Sequence, residues 1–170
     1  RAIENPALAD RGPLPASVHG FAVAADWIRE NKPPTQGYES LDLQPEYGLV
    51  SKWGVGHLVR YRSQRPMVAD NFGPFAGAES FEHAWRYFEE TDETAAIARL
   101  EQVGARYVLA DHFGNAKGDR GDATSMTARL ATGFGSESQL QSGQSIPSLS
   151  RHRLLFHVPG LSLIHISEPT

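Results

Sequence analysis

The stretch GLVSKWGVGHLVRYRSQRPMVADNFGPF, residues 48–75, decides how this chain is read. It holds an apolar segment, a Trp-Gly-x-Gly turn, a short amphipathic segment, a second apolar segment and a polar loop at Asp70-Asn71. The order predicts strand, glycine turn, helix, strand and loop. Such an order projects both the turn and the loop from strand ends, where α/β folds usually build their sites. Residues 47–51 therefore predict a short strand, 55–62 a helix with Val55, Leu58 and Val59 on neighbouring faces, and 67–69 a buried strand after Pro66.

Upstream, Phe21, Ala24, Ala25 and Ile28 recur at helical spacing over 21–31, and Pro33-Pro34 ends that helix. Residues 1–19 carry Pro6, Pro13 and Pro15 without periodicity and predict a linker or arm. Downstream, a helix is expected over 79–89 with Phe81, Ala84, Trp85 and Phe88 as its apolar, core-facing stripe. Asp92 caps a further helix whose buried positions are Ala96, Ile97, Leu100 and Val103. Gly104 closes it, and 106–110 follows as a core strand. Asp122 or Thr124 is the expected cap of a short helix over 125–131; 133–150, rich in Ser, Gln and Gly, predicts a loop, and 153–158 a final strand.

The alternation of helices and strands predicts an α/β fold, a single layered domain with a small mixed sheet flanked by helices over residues 20–160. The start on Arg1 rather than Met predicts a cut or truncated beginning. Residues 161–170, LSLIHISEPT, resemble translated sequencing-adaptor read-through and are set aside from the fold as a non-native tail; the alternative reading is a last strand over 161–166, given its alternation.

Composition narrows the function classes. Sixteen basic against twenty acidic side chains give a formal charge of −4, and only Lys32, Lys52 and Lys117 are lysines. Nucleic-acid binding needs clustered cations, so no nucleic-acid partner is expected. The absence of cysteine excludes disulfides, thiolate catalysis and cysteine-ligated zinc. No apolar run reaches the roughly 18–20 residues of a membrane span.

Several residues carry candidate chemistry. Gly54-Val55-Gly56, after a strand and at a helix start, has the makings of a phosphate cradle, with Asp70 to take a ribose hydroxyl; the third glycine of a dinucleotide fingerprint is missing, and a tight turn needing small residues is the competing reading. Asp111 and His112 at a strand end, with His57 and Asp70, form a possible acid/base or metal cluster if the fold gathers them; otherwise they are solvated strand ends. Glu79 and His83 share a helix face and offer at most two ligands. There is no G-x-S-x-G elbow for serine catalysis, and Arg120-Gly121-Asp122 reads as a turn. Trp53 stands just before the glycine turn, either half exposed for stacking or closing the core.

Residues 25–111 also resemble, in order and spacing, the soluble domain of the oligosaccharyltransferase catalytic-subunit family, which carries a WWDYG motif. The resemblance rests on Asp26-Trp27-Ile28-Arg29-Glu30-Asn31, Ser51-Lys52-Trp53-Gly54-Val55-Gly56, Arg65-Pro66-Met67-Val68-Ala69-Asp70-Asn71 and Arg106-Tyr107-Val108-Leu109-Ala110-Asp111. Residues 125–130 and 153–156 are similar to segments further downstream. Trp53 matches the second tryptophan of the motif and Gly56 its glycine; Lys52, Gly54 and Val55 stand in place of the first tryptophan, the aspartate and the tyrosine.

In that family the two tryptophans and the aspartate hold the hydroxyl of an acceptor Ser or Thr. The resemblance implies a divergent bacterial type of oligosaccharyltransferase-like glycosyltransferase, of which this chain is the acceptor-side fragment. It implies acceptor-binding residues Trp53, Gly54, Gly56, His57, Asp70 and Asn71, with no catalytic and no metal-binding residue in the fragment. A divalent metal, Mg or Mn, and the lipid-linked oligosaccharide belong to a membrane part outside it. The implied partners are an acceptor polypeptide and that lipid-linked glycan. The implied location is the extracytoplasmic face of the cell membrane, with residues 1–19 as the arm leading from the membrane region. A nucleotide- or phosphate-binding module using Gly54-Val55-Gly56, and a structural domain without ligand, are the competing readings.

Overall fold

The structure, a computed structural model, describes residues 16–39, 42–111, 125–132, 149–158 and 161–166. Helix α1 (Ala16–Asn31) starts inside the stretch expected to be an arm, so residues 16–19 are helical, and the rest of that stretch lies outside the described residues. Its buried stripe is the expected Phe21, Ala24, Ala25 and Ile28. The helix stops before Pro33-Pro34, whose first ring lacks an N–H and biases the preceding residue away from helical geometry.

Strand β1 (Gly48–Val50) follows, then a 3₁₀ turn (Trp53–Val55) that runs directly into α2 (Gly56–Ser63). A second 3₁₀ turn (Gly73–Ala76) leads to α3 (Ala78–Glu89), and α4 (Glu93–Gln102) to β2 (Ala105–Asp111). The expected local signals close α4 at both ends. The Asp92 carboxylate accepts from the Ala95 N–H at 2.8 Å, and Gly104 takes φ +66°, a left-handed conformation that suits glycine. Helix α5 (Met126–Thr132) is capped by Ser125, whose hydroxyl accepts from the Ala128 N–H at 3.3 Å; the expected caps Asp122 and Thr124 lie outside the described residues.

Strands β3 (His152–Val158) and β4 (Leu161–Ile166) complete one four-stranded mixed sheet of order β1-β2-β4-β3. β1 and β2 run parallel, with Leu49 opposite Tyr107 and Val50 opposite Val108, and β4 pairs antiparallel with both β2 and β3. The residues set aside as a tail thus include a central strand of this sheet, with Leu161 and Ile164 buried, and the strand reading of 161–166 describes its structure.

Side chains alternate along β2. Leu109 joins Phe21, Ile28, Leu49 and Val59 in a core beneath α1 and α2, whereas Val108 joins Tyr87, Ile97, Leu100 and Leu130 in a second core beneath α3, α4 and α5. The result is a small α/β domain with helices on both faces of its sheet.

Two expectations fail for physical reasons. Residues 67–69 do not form a strand: Met67 makes an isolated parallel bridge with Leu49, through Leu49 N–H to Pro66 O and Val68 N–H to Leu49 O, both 2.9 Å. An edge that short carries an apolar triplet without needing a ladder. On α3 the expected Ala84 is buried and Phe81 and Phe88 pack against the core, but the fourth expected residue, Trp85, is 50% exposed and Tyr87 takes the buried place.

The helices α1 and α2 are tied by a two-point Asp26–Arg62 ion pair, which holds the Asp26 carboxyl below its usual range chiefly through the Arg62 hydrogen bond. Arg65 plays a deeper part. Its guanidinium is only 4% exposed, yet its partners are neutral oxygens: the Tyr47 hydroxyl at 2.8 Å and the carbonyls of Lys32 (2.7 Å), Ser63 (3.1 Å) and Gln64 (3.0 Å). Three of these four oxygens belong to the C-terminal ends of α1 and α2, where the helix dipoles are negative, so the fork satisfies orphan carbonyls and its own charge together. Tyr47 in turn donates to Pro33 O, fixing the approach to β1. Replacing Arg65 by Lys keeps the charge but loses the fork, and is expected to lower the unfolding free energy by about 2 kcal/mol in urea titrations.

A second buried polar set locks β3 to α4. His152 Nδ1 lies 2.8 Å from Glu93 Oε1 and Nε2 3.0 Å from the Tyr87 hydroxyl. An ionised Glu93 only accepts, so Nδ1 carries the proton and Nε2 accepts from Tyr87. Burial opposes the charge on Glu93, but donors from Arg151 N, Ser150 N, His152 and Ser150 Oγ outweigh it and bring the carboxyl down to about 2. Burial also lowers the His152 pKa, against the pull of Glu93.

Both shifts have the same consequence in acid. The unfolded chain protonates His152 first, so its contribution is complete above a pH of about 6.5 and declines below it; the Glu93 contribution is complete above about 4.5 and declines towards pH 2. Urea midpoints are expected to fall in two steps on acidification. Glu93→Gln should shrink the lower step, leaving the part owed to Asp26, a result read directly from the midpoint-against-pH curve.

Candidate functional site: a clamped tryptophan turn at a strand end

The C-terminal end of β1 delivers the chain to Lys52, whose carbonyl accepts from Val55 N–H at 3.3 Å to close the 3₁₀ turn. Trp53 opens that turn and is 42% exposed, so its indole is at the surface and not sealed in the core. Gly54 is exposed as well, and a Cβ built on it meets nothing within 4 Å.

Gly56 is the opposite case. A Cβ there would lie 2.5 Å from the Asp70 Cα and 2.6 Å from the Ala69 carbonyl oxygen, backbone atoms that cannot step aside. Its glycine is therefore required by close approach of two backbones, and that approach is what brings Asp70 and Asn71 to the turn.

Asn71 makes the join. Its side-chain amide donates to the Gly54 carbonyl at 2.6 Å while its side-chain oxygen accepts from the His57 N–H at 2.9 Å, bridging both ends of the turn. Asp70 Oδ1 accepts from the Phe72 N–H at 3.0 Å, and its other oxygen lies 3.4 Å from His57 Nε2. The His57 ring also meets Phe72 edge-on at 4.9 Å. On the other flank Lys52 Nζ pairs with Asp111 at 3.0 Å, tying the turn to the end of β2.

All six residues singled out from the sequence, Trp53, Gly54, Gly56, His57, Asp70 and Asn71, thus meet at one corner. Asp111 belongs to Lys52 instead of to a cluster with His57 and Asp70, and His112 lies outside the described residues. Among the described residues no group of three or more His, Asp or Glu is placed to hold a metal ion. The phosphate-cradle reading meets a geometric obstacle: the His57 N–H that would face an anion is spent on Asn71, and the space beside Gly56 is filled by Asp70.

Sequence reasoning missed three contributors. Phe81 lies 6.3 Å from Trp53, and Trp85 stacks 6.5 Å from Phe81, so the aromatic surface continues along α3. The Lys52–Asp111 pair was invisible because the two residues are joined only by the parallel pairing of β1 with β2.

A family profile described as the AglB core domain matches residues 19–113, more than half of the chain and the whole of this corner. The chain belongs to the AglB core-like family. It is 33% identical over 86 residues to dolichyl-phosphooligosaccharide-protein glycotransferase 1 of Archaeoglobus fulgidus, covering 51% of this chain and 14% of that protein. Glycotransferase 2 of the same organism is 30% identical over the same coverage. The chain therefore spans about 14% of the length of these curated relatives.

Two crystal structures of C-terminal globular domains of oligosaccharyltransferases from Archaeoglobus fulgidus share the fold. One superposes with a TM-score of 0.62 at 16% identity, over 92% of this chain and all of that one; the other gives 0.54 at 21%, over 94% and 100%. All of these relatives come from Archaeoglobus fulgidus, and none of them tests the bacterial type expected from the sequence.

The two glycines make a paired test of the corner. Gly56→Ala forces backbones apart and is expected to cost about 3 kcal/mol. Gly54→Ala fills open space at a position without positive φ and should be neutral or stabilising by about 0.5 kcal/mol. Thermal unfolding of the two variants side by side measures the contrast.

Proposed function

We propose that this chain is the acceptor-side domain of a membrane oligosaccharyltransferase-like protein, which transfers a lipid-linked glycan to an acceptor polypeptide at the extracytoplasmic face. The observation that carries this reading is the half-exposed Trp53 on a turn whose two ends are clamped by one side chain, Asn71. A fixed indole at a strand end offers an apolar ledge to an extended polypeptide without paying to order a loop at each encounter. Family membership, and relatives named for transferring a dolichyl-phosphate-linked oligosaccharide to protein, support the acceptor and donor classes.

In this reading the chain positions and does not make bonds. Its contribution is proximity, holding the acceptor against a reaction centre supplied by the rest of a longer parent. A divalent Mg or Mn and the lipid-linked glycan would be held there. Among the described residues no helix is long and apolar enough to cross a membrane.

Acceptor selection at this corner works without a carboxylate at position 54. The Gly54 carbonyl already accepts from Asn71, leaving one lone pair for an acceptor hydroxyl, and the Asp70 carboxylate is engaged with Phe72 N–H and His57. Selection then rests on the indole surface and on shape. Asn71 is a positioning residue: it acts through the turn.

Titration with Ser- and Thr-containing acceptor peptides is expected to shift the Trp53 indole signal saturably. Asn71→Ala should weaken that binding about tenfold, as expected for losing two hydrogen bonds that hold the turn, while the Trp27 signal stays in place. The chain alone should transfer no sugar from a lipid-linked donor. Peptide binding that leaves Trp53 unmoved, or sugar transfer by the isolated chain, overturns the reading.

A further inference from the structure

The aromatic surface does not end at the turn. Trp53, Phe81 and Trp85 form a continuous row, with ring centroids 6.3 Å and 6.5 Å apart and the last two rings within 15° of parallel. Both indoles at its ends are about half exposed, at 42% and 50%. Phe81 packs against the core from the middle of the row, whereas Trp85 stands outside both core clusters, the buried positions of α3 being filled by Tyr87 and Ala84.

We propose that this row is a carbohydrate platform, on which a neutral sugar residue of the transferred oligosaccharide stacks against Trp85 while the acceptor polypeptide lies at Trp53. The proposal rests on the acceptor-side reading above and adds the donor glycan to the same face. A pyranose ring presents a face of C–H groups that packs on an aromatic plane, with hydroxyls around its edge that need polar partners. The row has both. Trp85 supplies the plane, and the exposed Glu82 and Glu89 stand three and four residues from it along α3, with Glu82 paired to Arg86 at 2.7 Å.

The same rim chooses between occupants. A phosphate or pyrophosphate needs clustered cations, and the cation beside Trp85, Arg86, is neutralised by Glu82. A bilayer would have to strip water from Glu82 and Glu89 before the indole entered it, and interfacial helices instead carry Lys and Arg on that border. An uncharged, hydroxyl-rich ligand meets neither obstacle.

The chain has three tryptophans, so its indole N–H resonances separate the possibilities in one sample. Trp27, stacked on Phe156 beneath Lys32, is the internal control. Free neutral oligosaccharides of hexose and N-acetylhexosamine, without lipid or phosphate, are expected to shift the Trp85 signal saturably and the Trp53 signal less, leaving Trp27 unmoved. Trp85→Ala should weaken sugar binding, followed at Trp53, by about tenfold. The Trp27 signal should stay in place in that variant, which shows that it is folded.

Peptide shifts without sugar shifts overturn the platform and leave the acceptor reading standing. Sugar shifts at Trp85 without peptide shifts support the platform and remove the acceptor reading. Silence towards both removes both. Shifts caused by neutral phosphatidylcholine vesicles but not by sugar overturn the platform in favour of a lipid surface.

Discussion

The buried guanidinium of Arg65 is the constraint on which the other elements depend. It fills a place where α1, α2 and the approach to β1 converge, and it accomplishes there what no apolar side chain can. Two helices ending side by side leave several carbonyls pointing into one small volume, and water has little access to them. A single planar cation with donors in several directions satisfies them and is held by them in return. Because Tyr47 shares in the same network, the point where β1 begins is set relative to both helix ends. The turn that follows β1 inherits its position from this arrangement.

From there the site is built by contact between backbones more than by side chains. Gly56 lets the first turn of α2 rest on residues 69 and 70, and that contact carries Asn71 to within hydrogen-bonding distance of the turn. The corner is a rigid one, fastened on one flank by Asn71 and on the other by Lys52 to Asp111. Rigidity suits a surface that orients a flexible chain, since each freedom already lost in the protein need not be lost on binding. The aromatic row beside it extends the same surface along α3, where charged neighbours keep it wet.

Much of this was legible in the sequence wherever the signal was local. Asp92, the Ala96–Ile97–Leu100 stripe and Gly104 lie within a dozen residues of one another, and each reinforces the others, so α4 and β2 emerged close to their actual bounds. The strand–turn–helix order likewise placed Trp53 and Asp70-Asn71 near each other. What escaped depended on partners far away in sequence. Residues 67–69 have a strand-like composition but a single bridge to Leu49, and only the sheet itself reveals that. The orientation of α3 is decided by Tyr87 reaching His152, 65 residues on, which turns Trp85 outward against the apolar pattern. The place of 161–166 in the middle of the sheet rests on pairing with β2, more than fifty residues earlier. At the corner, the order of elements indicated which residues would gather and the amide bridge of Asn71 was not readable, because a hydrogen bond that spans a turn leaves no trace in spacing.

Two glycines only two positions apart stand at this corner under opposite regimes, one walled in by backbone and one facing empty space. The architecture thereby places a rigid joint and an open position side by side. Position 56 is fixed by geometry, whereas position 54 has open space where a side chain would begin. A substitution that adds bulk is therefore absorbed at one of these positions and refused at the other, although the two are separated by a single residue.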